Sequence, residues 1–182
     1  MATLTAFKFP TSTGADEMLA RLRQLQAQGL ITVEDAAIVR WPEGAKKPKT
    51  EQIHDLTGAG ALTGAFWGML FGLLFFVPLF GLAIGAAFGA IAGHFADVGI
   101  SDSFINQVKQ KVTPGTSAIF LLTSGAVVDR VKEAMSGLTF EVLSTNLSAE
   151  QEAKLREAFA EEGAAAPPPV VSEQQPEQPA GS

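Results

Sequence analysis

The 182-residue chain has no cysteine, only two histidines and, from Leu56 to Ala96, no ionisable residue except His94. Without cysteine there is no disulfide framework, thiolate nucleophile, iron–sulfur cluster or Cys-based zinc site, and nothing marks an oxidising compartment. His54 and His94 flank the uncharged stretch. With Asp55 and Asp97 they could frame a surface proton or metal site, but two interfacial histidines are ordinarily just interfacial, so no metal site is assigned. Catalytic signatures are missing too: no nucleophile elbow, no Walker-type loop and no carboxylate pair with a local signature. Gly58-Ala59-Gly60-Ala61-Leu62-Thr63-Gly64 only mimics a dinucleotide fingerprint, because glycines are dense there and no buried parallel strand precedes them. The chain is therefore expected to be non-enzymatic, with no cofactor. Thirteen basic against 19 acidic residues give a net charge of −6, and no basic, aromatic-laced stripe exists, which disfavours nucleic acid.

What is abundant is apolar surface, and the mean hydropathy of +0.21 is high for an ordinary soluble domain of this size. The excess is concentrated in the 41 residues Leu56 to Ala96. About 20 apolar residues cross a hydrocarbon core of about 30 Å, so this length predicts two crossings, residues 56–77 and 79–96, turned at Pro78. A soluble domain burying all 41 would need more surrounding core than the rest of the chain supplies. Met1 to Pro10 is polar and alternating, which does not suit a signal peptide. Arg40, Lys46, Lys47 and Lys49 before the stretch, with Lys109 and Lys111 after it, predict cytoplasmic flanks and termini at a bacterial inner membrane. The same lysines suit anionic headgroups or a plain solvated hairpin.

Gly60, Gly64, Gly68 and Gly72 recur every four residues in the first crossing, as do Gly81, Gly85, Gly89 and Gly93 in the second. Such small-xxx-small registers let helix backbones approach closely. The two stripes are expected to meet each other. The Ala-rich side of the second helix (Ala83, Ala86, Ala87, Ala90, Ala92) is expected to meet another copy, giving a homo-oligomer. Phe66, Trp67, Leu70, Phe71, Leu74, Phe75 and Phe76 are expected to face lipid.

The flanks alternate strands and helices. Thr3–Phe9 reads as a strand, Ala15–Gln28 as an amphipathic helix ended by Gly29, Ala36–Trp41 as a strand, and Lys47–Ile53 as a polar strand. After the stretch come a helix capped by Ser101 or Asp102 through Val112, a strand Ser117–Leu122, a helix Ala126–Ser136, a strand Thr139–Ser144, and a last helix opened by a capping box of Ser148 and Gln151 and running through Leu155 and Phe159. This pattern suits an α+β sandwich of ferredoxin-like kind, split by an inserted transmembrane α-helical hairpin. The expected division is 1–55 and 97–162 as two halves of one domain, 56–96 as the hairpin, and 163–182 as a Pro/Ala-rich tail without the composition to order itself.

On these residues the chain resembles small bacterial predicted membrane proteins of unknown function, in which ferredoxin-like halves flank a glycine-rich hairpin. The likeness spans Thr3 to Glu162. It rests on Glu34-Asp35-Ala36-Ala37-Ile38-Val39, the glycine-patterned hairpin, Asp97-Val98-Gly99-Ile100 with Phe104-Ile105, Pro114-Gly115-Thr116-Ser117-Ala118, and Leu147-Ser148-Ala149-Glu150-Gln151-Glu152-Ala153. The resemblance implies a membrane-associated, stress-linked protein and carries over no catalytic or ligand residue. Two rival functions stay open. One is a pore formed by the hairpins, which offer little polarity beyond Thr63 to select with. The other is a tethered module sensing a small ligand.

Overall fold

The computed structural model describes residues 2–56, 64–76, 95 and 98–159; the tail expected at 163–182 lies outside them. The elements are β1 (Ala2–Phe9), α1 (Gly14–Ala27), β2 (Asp35–Arg40), β3 (Lys49–Gln52), a 3-10 turn (His54–Leu56), α2 (Gly64–Phe71) continued by a π-helical stretch (Gly72–Phe76), α3 (Asp102–Lys111), β4 (Ser117–Ser124), α4 (Gly125–Ala134), β5 (Glu141–Asn146) and α5 (Ala149–Phe159). Strands from both sides of the apolar stretch share one antiparallel sheet of five, in the order β3-β2-β4-β1-β5.

Local sequence accounts for most boundaries. Gly29, with a φ of +72°, ends α1, and Gly115, with a φ of +86°, makes the turn into β4; both lie in the left-handed region that glycine enters without a Cβ penalty. The Ser101 hydroxyl accepts the Phe104 amide at 3.2 Å and caps α3, so Ser101 rather than Asp102 is the cap. The capping box of α5 is complete: Ser148 Oγ accepts the Gln151 amide at 3.2 Å, and Gln151 Oε1 accepts the Ser148 amide at 2.9 Å. The last strand begins at Glu141, two residues later than the apolar alternation suggests. Its pairing with β1, Glu141 opposite Lys8 through Asn146 opposite Thr3, sets the boundary, and Leu138 stays in the preceding turn with its amide on the Met135 carbonyl.

The sheet separates two apolar clusters. On its first face Phe7, Phe9, Ile38, Ile119 and Leu121 meet Met18, Leu19 and Leu22 of α1 and Val127, Val128 and Val131 of α4. On its second face Leu4, Ala6, Val39, Phe120 and Leu122 meet Phe104, Ile105 and Val108 of α3 and the α2 segment. Three layers result. The middle strands β2 and β4 are covered on both sides, which is why Ala118-Ile119-Phe120-Leu121-Leu122 runs apolar without alternation.

The α2 segment departs from the sequence expectation. Phe66, Trp67, Leu70, Phe71, Leu74 and Phe75 are buried in the second-face cluster instead of lying on a surface available to lipid, and the side chain of Phe76 is outside the described set. The physical reason is that the second face of the sheet is itself apolar and is only partly covered by α3, so it offers the segment a core of its own. Among the described residues no helix is long and apolar enough to cross a membrane. Most of the stretch expected to form the hairpin, including Pro78 and residues 79–94, lies outside the description.

Candidate functional site: the aromatic cover of the sheet

The apolar stretch leaves the sheet at a pinned corner. Asp35, fully buried at the start of β2, accepts the Ala36 amide at 2.8 Å and the Gln52 side-chain amide of β3 at 3.2 Å and 3.3 Å. A buried carboxylate needs such donors to offset its desolvation. Three residues on, Asp55 takes a forked contact from Arg23 of α1, Nε to Oδ2 at 2.6 Å and a terminal nitrogen to Oδ1 at 3.1 Å. The hydrogen bond from Arg23, with its positive charge, holds the Asp55 carboxyl below the usual carboxylate range and raises Arg23 in turn. Leu56, the first residue of the stretch, is buried in the apolar cluster on the first face of the sheet.

From Gly64 the segment lies along the second face as a ladder of rings. Phe66 and Trp67 meet at 4.9 Å, Trp67 and Phe71 stack at 5.6 Å, Phe71 stands edge-on to Phe120 of β4 at 5.3 Å, and Phe75 reaches Trp41, just past β2, at 5.8 Å. Phe66 also meets Phe95 at 5.8 Å, which brings the two sides of the uncharged stretch together at the sheet. Among the described residues three buried polar atoms lack a hydrogen-bond partner, the hydroxyls of Thr5 on β1 and Thr123 on β4 and, within the cover itself, the Trp67 indole N–H. Leaving such a donor unsatisfied costs about 1–3 kcal/mol.

The described glycines line an open flank of the segment, Gly64 and Gly68 beside β3. Gly64 and Gly68 are exposed and Gly72 is half-buried; among the described residues, apart from the segment's own backbone, nothing lies within 4 Å of where a Cβ would stand on Gly68 or Gly72, and Gln52 Oε1, at 3.9 Å, approaches that of Gly64. Thus the described glycines of the first register share an outward side and make no helix contact among the described residues. Gly60, Gly81, Gly85, Gly89 and Gly93 lie outside them, so the expected meeting of the two stripes falls beyond the described structure. A cleft of about 200 Å³ runs between α2 and β3, along Gly64, Gly68, Trp67, Thr50 and Gln52.

Of the paired histidines, His54 is exposed in the 3-10 turn, while His94 and Asp97 fall outside the description. No group of three or more His, Asp or Glu residues suited to a metal occurs among the described residues. Lys46, Lys47 and Lys49 are exposed on the β2–β3 connection and the start of β3. That connection is tied to Trp41 by a 2.9 Å bond from its indole to the Ala45 carbonyl, so Lys46 and Lys47, with Glu43, stand at the end of the sheet where Phe75 meets Trp41. Sequence reasoning did not find a cavity of about 510 Å³ between α1 and α4, lined by Leu25, Leu30, Ile31, Arg130 and Glu133. The only available signal was Leu30, an apolar residue just past the glycine that ends α1, and it is 52% exposed.

Fold and site together define an α+β protein whose antiparallel sheet carries an uncharged, glycine-lined aromatic cover. Residues 61–160 match a family described as proteins of unknown function (DUF1269), and the chain belongs to that family. The match takes in the cover and every element from α3 onward. No curated protein and no solved structure matches the chain.

Two outcomes are expected of the cover and its pinned corner. Phe71→Ala should lower the unfolding free energy by about 3–5 kcal/mol in denaturant titration, as a buried ring deleted from a packed core does, whereas Gly68→Leu should leave it nearly unchanged. Because the folded Asp55 carboxyl titrates below its unfolded value, its contribution is complete above about pH 5 and lost as pH falls through the folded pKa. The pair is half-exposed, so its worth is at most about 1 kcal/mol. Asp55→Asn should remove this part of the acid-induced loss of stability, measured from pH 6 to pH 3.

Proposed function

We propose that this is a non-enzymatic protein of a bacterial inner membrane, held to the bilayer through Leu56–Ala96 and self-associating through its glycine registers. Its α+β domain, of ferredoxin-like kind, is cytoplasmic, and it serves assembly or scaffolding in envelope or general stress adaptation. The observation that carries this reading is the 41-residue stretch in which His94 alone is ionisable, flanked by exposed Lys46, Lys47 and Lys49. Without β3, the strand order β2-β4-β1-β5, with helices following β1 and β4, is the ferredoxin-like arrangement and supports that part of the reading. The outward side of Gly64 and Gly68 supports self-association, because a second helix can approach there without disturbing the domain. A membrane-tethered module for a small ligand is a second reading, favoured by the cavity between α1 and α4.

A cysteine-free chain makes topology directly measurable. Carbonate washing should leave the protein in the membrane pellet; a cysteine at Gly81 should label from outside the cell, and one at exposed Ser124 should not. Release by carbonate alone defeats the membrane reading. For self-association, Gly64→Leu with Gly68→Leu should reduce the oligomeric mass in lipid particles while the domain keeps its thermal unfolding. Gly→Ala at the same positions should be milder, since alanine still permits close approach. An unchanged mass in the leucine variant would remove the glycine registers from the assembly.

A further inference from the structure

We infer that Gly64–Phe76 exchanges between two seats, the second face of the sheet and a lipid bilayer, so that the sheet competes with the membrane for its own cover. This rests on the membrane reading above and adds a regulated state to it.

The first observation is the composition of the segment on all its sides. A helix that covers a sheet from the water side normally presents polar residues outward. The other helices of this domain do so: Glu17 and Arg23 on α1, Lys109 and Gln110 on α3, Asp129, Lys132 and Glu133 on α4 are exposed. The segment Gly64–Phe76 has no charged residue on any side, and its only side-chain polar atom is the Trp67 indole nitrogen. A helix apolar all round is suited to being buried on every side, which the sheet does not provide at Gly64 and Gly68 and a bilayer does.

The second observation is how the cover is held. The contacts described between its side chains and the sheet are apolar or aromatic, centred on Phe120 and reaching Trp41. Lipid tails are as apolar as these partners, so moving from one seat to the other sacrifices little hydrophobic burial for the segment. The third observation is the stranded Trp67 N–H, which the sheet-bound seat leaves without an acceptor. A tryptophan at a membrane interface can keep its ring in the apolar region while its N–H meets headgroups or water. The exposed Lys46 and Lys47, at the end of the sheet reached by Phe75, place cationic groups for an anionic bilayer surface beside the segment, with Glu43 the acidic group on the same connection.

The test uses the full chain carrying Trp41→Phe, which leaves Trp67 as the single indole. It is mixed with vesicles of phosphatidylethanolamine and phosphatidylglycerol whose acyl chains carry bromine, a contact quencher of tryptophan. Exchange requires that Trp67 emission fall at least about twofold relative to unbrominated vesicles, because the indole leaves the sheet and meets the brominated chains. Gly68→Lys separates the two seats. On the sheet Gly68 faces open space, so the variant should unfold at the same temperature as its parent. Within a crossing a lysine disfavours insertion by roughly a hundredfold, so bromine quenching should vanish. Protein that pellets with vesicles while Trp67 stays unquenched overturns the exchange and leaves the membrane reading standing, with attachment through the rest of the stretch. Quenching that survives Gly68→Lys also overturns it. Failure to associate with vesicles at all removes both.

Discussion

Everything in this fold depends on burying a sheet that is apolar on both faces. Phe120 points to one side of β4 and Ile119 to the other, and between Ser117 and Thr123 the strand carries only apolar residues. Helices α1 and α4 satisfy the first face in the ordinary way of an α+β sandwich. The second face needs a further layer, and α3 with Phe104, Ile105 and Val108 supplies part of it. The remainder falls to the aromatic side of α2, so residues that read in isolation as membrane-facing become buried core on that side of the domain.

That dependence explains what could be read from the sequence and what could not. The strands and helices of the flanks were legible because each carries its own period or cap: Met18, Leu19 and Leu22 on one side of α1, the Ser148–Gln151 box, the Pro114-Gly115 turn. Strand ends were less so. The start of β5 is set by a partner, β1, at the other end of the chain, and no local feature near Thr139 announces it. The destination of Phe66, Trp67 and Phe71 is hidden from the sequence for a related reason. Hydropathy measures how little a segment wants water, and it is silent about which apolar surface receives it. A clue was present in Ala118–Leu122, whose lack of alternation already implied a sheet needing cover on two sides.

The glycines make the complementary point. Their four-residue register was plain in the sequence, and the structure gives Gly64 and Gly68 a common outward side, but register alone does not say what a smooth helix surface is smooth for. The stranded indole of Trp67 was not legible at all, since it arises from the way its ring stacks on Phe71 and abuts Phe120. Features of this kind exist only once the chain has closed on itself.

The strand order has a consequence in time. Among the described residues β1 pairs with β4 and β5, and β2 pairs with β3 and β4, so the central strand that unites the sheet is β4, from Ser117 to Ser124. Leu56–Ala96 precedes it in the chain. At about 5–20 residues per second, the 28 residues from Asp97 to Ser124 take roughly one to six seconds to synthesise. Throughout that interval the uncharged stretch is complete while the surface that could receive it has not yet been made. On the proposed membrane reading, the bilayer is then the first apolar partner on offer during synthesis, and the sheet is the second.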